Sequence, residues 1–174
     1  MTTSTAALIV SAVSLLIAGL SLGWQVAQWL LSAARARATL LYGAIGSGGV
    51  YVEQVGRKGQ RYDLPALRSQ GASGPEVLGV KVTNHGRASL VVENVSVKAK
   101  GGGMSLTPIG DRIGPELPHR IEPGANATWY TPMDGARALV SSSREVLHHS
   151  ITGVYMTAEL GTGKTVKTHN ALRA

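Results

Sequence analysis

The sequence contains no cysteine. This absence excludes a disulfide framework, a zinc site made of thiolates and a thiol nucleophile, and it is compatible with a reducing compartment. Charge is also absent from the first 34 residues, because all 17 Lys and Arg residues and all 10 Asp and Glu residues come later. The chain therefore divides into an uncharged N-terminal segment and a charged remainder of about 140 residues, the size of one domain.

Residues 6–23 are apolar or small throughout, with the sequence AALIVSAVSLLIAGLSLG. A helix needs about 20 such residues to cross a hydrocarbon core of about 30 Å. Residues 1–5 lack the basic n-region of a signal peptide, and the apolar run exceeds the roughly 7 to 15 residues of an h-region. We therefore expect a retained transmembrane anchor over residues 1–34 and a soluble domain over residues 35–174. The alternative is cleavage near residues 33–34.

Two tryptophans and two arginines mark the C-terminal end of this span. Trp24 and Trp29 lie where indole rings favour the headgroup level, and Arg35 and Arg37 follow. No basic side chain precedes the span, and flanking Lys and Arg residues are retained on the cytoplasmic side. The sequence thus predicts a single-pass protein of the plasma (inner) membrane with its C-terminal domain in the cytoplasm. The alternative is the inverted topology, with the domain displayed outside the cell.

Gly19 and Gly23 form a GxxxG pattern within the span. Small residues four positions apart let two helices approach closely enough for their backbones to pack. The pattern predicts homo-oligomerisation through the transmembrane helix. A monomeric span is the alternative, because Ala- and Gly-rich spans contain such patterns by chance.

Beyond residue 38, apolar residues alternate with polar ones, as in half-buried strands. The alternation is clearest in residues 80–83, 95–100 and 154–160. Weaker strands are expected at residues 39–45, 50–55, 120–121 and 127–130. Gly and Pro occur in closely spaced groups between these segments, and short strands separated by such turns favour a β-sandwich.

Three local features shape this expected domain. Residues 84–87, NHGR, predict a turn, because Asn and Gly adopt positive φ at low cost. Between Leu90 and Val95 the alternation slips, with Val91 and Val92 adjacent, so we expect a bulge or a crossing between sheets there. Residues 134–147 predict one helix, capped by Asp134. Its expected buried face consists of Leu139, Val140, Ser143 and Val146 or Leu147.

Residues 80–97, VKVTNHGRASLVVENVSV, contain an N-x-G turn between two strands, and residues 117–124, LPHRIEPG, precede Trp129. These motifs resemble the immunoglobulin-like modules that are common in bacterial accessory proteins. The whole chain, span included, resembles small uncharacterised membrane proteins of actinobacteria. The resemblance implies an immunoglobulin-like β-sandwich and no particular activity. We expect Trp129 to fill the core of that domain, with an exposed recognition patch as the alternative.

Three motifs suggest chemistry but lack its context. Residues 161–165, GTGKT, end like a phosphate-binding loop, yet Ala158 stands where that motif needs its first glycine, so we expect a hairpin turn through residues 161–163. His148 and His149 do not converge on a metal, and we expect them at the surface where a helix ends. Residues 141–143, SSS, lack a nucleophile elbow. We therefore predict no cofactor, no metal site and no enzymatic activity.

The net charge of +7 is spread along the chain without a dense basic block. Such a distribution favours anionic surfaces in general, with anionic lipid a nearer candidate than nucleic acid. The expected function is a non-catalytic, membrane-anchored interaction module that binds a protein partner at the inner membrane face, through a sheet edge or its loops. The alternative is a tethered domain that binds anionic lipid or nucleic acid through Arg57, Lys58, Arg61 and Arg68.

Overall fold

The computed structural model describes residues 3–60, 64–110 and 112–174, with the backbone alone for residues 3 and 29–32. Helix α1 (Thr3–Ser32) opens the chain. Its segment Ser4–Gln28 has a mean hydropathy of 2.2 and is long and apolar enough to cross a membrane. The predicted apolar helix is therefore confirmed. Its retention as an anchor and its orientation stay predictions, because a signal sequence near the N-terminus meets the same test of length and composition.

The remainder, which we call the β-domain (residues 36–174), consists of short strands and two helices. The strands are β1 (Ala36–Gly46), β2 (Gly49–Gln54), β3 (Glu76–Asn84), β4 (Leu90–Lys100), β5 (Ser105–Leu106), β6 (His119–Ile121), β7 (Asn126–Pro132), β8 (Gly153–Leu160), β9 (Thr165–Lys167) and β10 (Leu172–Arg173). The helices are α2 (Leu64–Ser69) and α3 (Met133–Glu145). All strands predicted from the sequence are present, most of them longer by a few residues.

The strands form two antiparallel sheets. The first sheet has the order β2-β1-β3-β7. The second has the order β10-β8-β4-β5, with β6 also paired to β4 and β9 also paired to β8. Neighbours in each sheet are antiparallel throughout the described residues. A mainly-β domain with one longer helix is thus confirmed.

Both sheets contribute side chains to one hydrophobic core. Val95, Val97 and Ala99 of β4 are buried, while Ser96 and Lys98 between them are half-exposed, as the alternation predicted. Trp129 of β7 is fully buried, which confirms its core position. Its indole N–H donates a hydrogen bond of 2.9 Å to the carbonyl oxygen of Pro115. Each such large apolar side chain contributes about 1.5–3 kcal/mol on burial.

The turn after β3 carries the chain from one sheet to the other, and a buried amide holds it. Asn84 donates through Nδ2 to the carbonyl oxygens of Ala88 and Ile121, at 2.8 and 3.2 Å. Its Oδ1 accepts from the N–H of Gly86 at 2.9 Å. The side chain therefore satisfies its hydrogen-bonding groups while it joins this turn to β6.

The predicted bulge lies in β4. Val92 faces Leu160 of β8, but Asn94 faces the very next residue, Glu159, so β4 contains one extra residue at this point. The shift returns the apolar residues of β4 to the core side after the break in alternation. The bulge is therefore confirmed.

Helix α3 differs from its prediction at both ends. Strand β7 leads directly into it, so Pro132 takes the N-cap position without a side-chain cap, and the predicted cap, Asp134, lies inside the first turn. The carboxylate of Asp134 instead accepts from Arg137 at 3.0 Å. The helix ends at Glu145, which leaves Val146 69% exposed and Leu147 also exposed. The predicted face is correct for Leu139, Val140 and Ser143, which are buried, and wrong for the last two residues.

Candidate interaction surfaces

Strand β2 forms one edge of the four-stranded sheet. Within the described chain, residues 49–53 make no backbone hydrogen bond except to β1. The N–H of Val55, just after the strand, donates to the carbonyl oxygen of Leu40 at 2.9 Å. Because backbone groups alternate in direction along a strand, the N–H groups of Val52 and Val50 face away from β1. Among the residues that the structure describes, the donors and acceptors on the outer side of this edge therefore have no partner.

The side chains of β2 do little to protect the edge. Tyr51 is 44% exposed, and Val50 and Val52 are half-buried. The strand contains one charged residue, Glu53, and neither the lysines nor the prolines that commonly block edge pairing. Helix α2 lies beside it and completes a groove of about 530 Å³. The groove is lined by Tyr42, Gly43, Val50, Tyr51, Val52, Glu53, Ala66, Leu67 and Gln70.

The opposite edge of the same sheet, β7, is partly covered. Ile113 and Tyr130 exchange two backbone hydrogen bonds, at 2.9 and 2.8 Å, and Pro115 accepts the bond from Trp129. Burial raises the pKa of the Tyr130 phenol, which therefore stays neutral at physiological pH. The segment around residues 113–115 thus covers part of the β7 edge, whereas no described residue pairs with the outer side of β2.

The predicted membrane-interface residues lie where α1 joins the β-domain. Trp24 is 66% exposed on α1, and Trp29 belongs to the same helix. Arg35 connects the helix to β1, and Arg37 lies in β1. The carbonyl oxygen of Arg35 accepts from the N–H of His85 at 2.8 Å, so the segment that follows the helix is held to the turn after β3.

The predicted helix-packing residues face open space in a single chain. A Cβ atom added to Gly19 or Gly23 would meet no atom of the described chain within 4 Å. A shallow recess of about 520 Å³ follows these glycines and is lined by Leu15, Leu16, Gly19, Leu20, Gly23, Trp24 and Ala27. The small-residue face is therefore accessible to lipid or to a second helix, and self-association stays a prediction.

The structure separates the residues that were predicted to bind anions. Arg57 and Lys58 are exposed in the turn after β2, where Arg57 shares a recess with Arg37. Arg61 lies outside the described residues. Arg68 of α2 forms an ion pair of 3.3 Å with Glu76. Glu76 faces Ala44, near the end of β1, whereas Arg37 lies near its beginning, so Arg68 and Arg57 do not form one patch.

Glu76 is the centre of a local charge cluster. Its carboxylate accepts hydrogen bonds from Arg68, from Arg137 of α3 and from the hydroxyl of Tyr42, the last at 2.9 Å. The Glu76 side chain is 12% exposed, so its pairing with two arginines compensates for the loss of hydration. Arg68 therefore holds α2 to β3, and Arg137 holds α3 to the same carboxylate.

Residues 161–165 form the predicted hairpin between β8 and β9. The N–H of Leu160 donates to the carbonyl oxygen of Lys164 at 2.9 Å, and the N–H of Gly163 donates to the carbonyl oxygen of Leu160 at 2.8 Å. Gly163 has a φ of 76°, as a three-residue loop with a glycine at its last position requires. This geometry confirms the turn and lacks the helix that a phosphate-binding loop must open.

The histidines and serines with candidate chemistry are dispersed. His148 and His149 follow α3 and are exposed, as predicted for a surface pair. No group of three or more His, Asp or Glu side chains within the described ranges has the geometry to hold a metal ion. Ser143 is fully buried, and its Oγ has no hydrogen-bond partner in the described part of the chain, so it belongs to the core rather than to an open site.

Sequence reasoning missed two surfaces: the specific edge at β2, and a basic cavity at the far end of the second sheet. The signal for the first is the sequence of β2, where Val, Tyr and Val alternate without a basic residue. No family model, curated protein or solved structure matches the chain. Function is therefore inferred from these surfaces themselves.

Proposed function

We propose that the chain is a non-catalytic, membrane-anchored interaction module whose β-domain binds a protein partner through the open edge of β2. The observation that carries this proposal is that the outward-facing backbone groups of Val50 and Val52 have no partner among the described residues and lie beside an apolar groove. An extended segment of a partner adds to such an edge through main-chain hydrogen bonds, and a neighbouring pocket then selects its side chains.

The domain itself is, in our proposal, an immunoglobulin-like β-sandwich. Two antiparallel sheets share one core, the chain crosses between them at the turn after β3, and a buried tryptophan fills the centre. These features support the resemblance seen in the sequence. Sandwich modules of this kind present edges and loops to partners while the core stays rigid.

The partner meets the domain, in this proposal, at the cytoplasmic face of the plasma (inner) membrane. The support is the pair Arg35 and Arg37 after the span, with no basic side chain before it. A reporter enzyme that is active only outside the cytoplasm, fused after Ala174, is expected to stay silent. An active reporter would instead favour the extracytoplasmic display of the domain.

The test of edge binding uses the full chain in its membrane, with a photo-reactive amino acid in place of Tyr51. Irradiation should produce a covalent adduct with a protein. Val52→Pro removes one N–H from the open edge but none from the ladder to β1, and Pro is tolerated at such edge positions. We expect this substitution to reduce the adduct by about tenfold, which corresponds to the loss of about 1.4 kcal/mol of main-chain hydrogen bonding.

The matched control places the photo-reactive group at Val91, a valine of β4 that is 37% exposed on the other sheet. It should give little adduct, and Val52→Pro should not change it. Equal adducts at both positions, or an adduct at Tyr51 that survives Val52→Pro, would contradict binding at the β2 edge. An adduct between two copies of the chain would identify the partner as a second copy.

A second candidate function is contact with anionic headgroups, and one observation favours it. Residues 33–36 share a recess with the β8–β9 hairpin, so Arg35 and Lys164 lie on the same side of the domain as the end of α1. Each basic residue near an anionic surface contributes about 1 kcal/mol of attraction. Steep weakening of an interaction with salt would favour this function over strand addition at β2.

A further inference from the structure

A basic cavity lies at the end of β4 that is opposite the turn after β3. Strand β4 begins at Leu90, beside the turn whose Gly86 touches residues 33–35, and ends ten residues later at Lys100. At about 3.3 Å per residue, Lys100 lies roughly 30 Å from Leu90, at the other end of the strand. That separation exceeds the screening length of about 8 Å at physiological salt, so the charge of Lys100 interacts little with charges at the Leu90 end.

The cavity has a volume of about 490 Å³ and a basic lining. Lys100, Lys167, His149 and His169 all contribute to its wall, and no acidic residue does. None of these four side chains forms an ion pair with a carboxylate of the described chain. They differ in this from Arg68 and Arg137, whose charges are compensated by Glu76.

A glycine turn forms one side of the cavity, at residues 101–103. Gly101 has a φ of 100°, and a Cβ atom there would lie 2.4 Å from the carbonyl oxygen of Ser150, so only glycine fits. The N–H groups of Gly101 and Gly103 have no acceptor among the described residues. Free backbone N–H groups in a side-chain-free turn are a common means of binding anions.

The other side of the cavity is held in place before any ligand binds. The hydroxyl of Thr168, which is 4% exposed, donates to the carbonyl oxygen of Asn170 at 3.1 Å. The amide of Asn170 donates in turn to the carbonyl oxygen of Val55 at 2.6 Å. These bonds fix the segment that carries Lys167 and His169, which lowers the entropy lost when those side chains engage a ligand.

We propose that this cavity binds a soluble anion that carries a phosphate group. Lysine ammonium groups and backbone N–H groups are the donors that phosphate oxygens accept from most strongly. The volume exceeds the size of a bare phosphate, so the cavity accommodates an organic portion as well. Lys100 and the glycine turn lie at the opposite end of β4 from the turn that contacts residues 33–35, which favours a dissolved molecule over a lipid headgroup. This site is separate from the β2 edge and goes beyond the proposed protein-binding function.

The test measures binding of inorganic phosphate and of phenyl phosphate by calorimetry, with the full chain in nanodiscs of neutral phosphatidylcholine. We expect saturable binding at one site, tighter for phenyl phosphate. Replacing both Lys100 and Lys167 with Gln should weaken that binding by about tenfold or more. The control replaces Lys58 and Lys164 with Gln, which removes the same charge from exposed positions outside the cavity and should change the affinity by less than about twofold.

Circular dichroism should show the native fold for both double variants, because all four lysines are exposed. If the variant lacking both Lys100 and Lys167 does not fold, the double variant His149→Gln with His169→Gln replaces it. That variant should also weaken the binding of phenyl phosphate by about tenfold or more. Absence of saturable binding, or equal weakening by the two lysine pairs, would overturn the proposal. Nanodiscs with anionic phosphatidylglycerol should leave the affinity unchanged, and competition by that lipid would show that the ligand is a headgroup instead.

Discussion

Helix α1 and the β-domain treat apolar side chains in opposite ways. In α1, Leu8, Leu15 and Leu20 are 72%, 76% and 75% exposed, since no described part of the chain covers them. In the β-domain, Leu40 and Leu78 are at most 1% exposed. The apolar side chains of the helix thus have no apolar surroundings within the described chain, whereas those of the domain bury one another.

This difference implies that the two regions are stabilised independently. The domain obtains its free energy of folding from side chains shared between its two sheets, and none of the described side chains of α1 belongs to that core. The helix satisfies its backbone hydrogen bonds internally, which is the condition for crossing a bilayer. Changes in one region should therefore leave the other unaffected, and each of the following predictions tests that expectation.

The largest effect is expected at the core of the domain. Trp129→Ala removes the largest fully buried side chain and leaves its cavity open, so the free energy of unfolding should fall by about 3–5 kcal/mol. The measurement is urea unfolding of the full chain in nanodiscs, followed by circular dichroism of the strands. Trp24→Ala, a tryptophan on α1, is the matched control and should change that value by less than about 0.5 kcal/mol. Similar losses for both variants would show that the two regions are coupled.

A charge in the helix should have the converse effect. Leu16→Arg places a guanidinium within the apolar segment, which raises the free energy of insertion by about 2.5–3.5 kcal/mol. The fraction of full-length chain that resists alkaline extraction from membranes should fall, and Leu16→Ile should leave it unchanged. The unfolding of the β-domain should be the same in all three proteins. A chain that remains in the membrane fraction after Leu16→Arg would argue against α1 as the anchor.

The contrast between α1 and the β-domain also explains which parts of the fold can be predicted from the sequence. The helix follows from the absence of charge, and the main strands follow from alternation that one buried face imposes. The bulge in β4 was predictable from the slip in alternation between Leu90 and Val95, because Val92 and Val95 are three positions apart and a regular strand would place them on opposite faces. The cap of α3 was mispredicted because β7 runs into the helix without a loop, so Pro132 occupies the position that Asp134 would need.

Neither surface with a proposed role could be located from local pattern. Strand β2 is an edge strand because only β1 pairs with it. Which strand lies at an edge depends on the order of strands in the whole sheet, and the sequence of one strand does not reveal that order. Helix α2 beside it has six residues, too few for a helical period to stand out. The basic cavity joins residues 100–103 with His149 and residues 167–171, which the pairing of Lys100 with Gly153 brings together. The run of three glycines after Lys100 was its one local signal.

The smallest effects are expected in the β8–β9 hairpin, which lies in the recess where the two regions meet. Gly163→Val should cost about 1 kcal/mol, because Gly163 has a φ of 76° that a β-branched residue adopts only under strain, although space for a side chain is open. Lys164→Ala should change the free energy of unfolding by no more than about 0.5 kcal/mol in neutral nanodiscs, since Lys164 is exposed. A larger loss in anionic nanodiscs alone would show that the hairpin contacts headgroups and would couple the regions through the bilayer. Micromolar ATP binding that Lys164→Ala abolishes would contradict the hairpin interpretation, because a turn that continues into β9 has no helix N-terminus to hold phosphates.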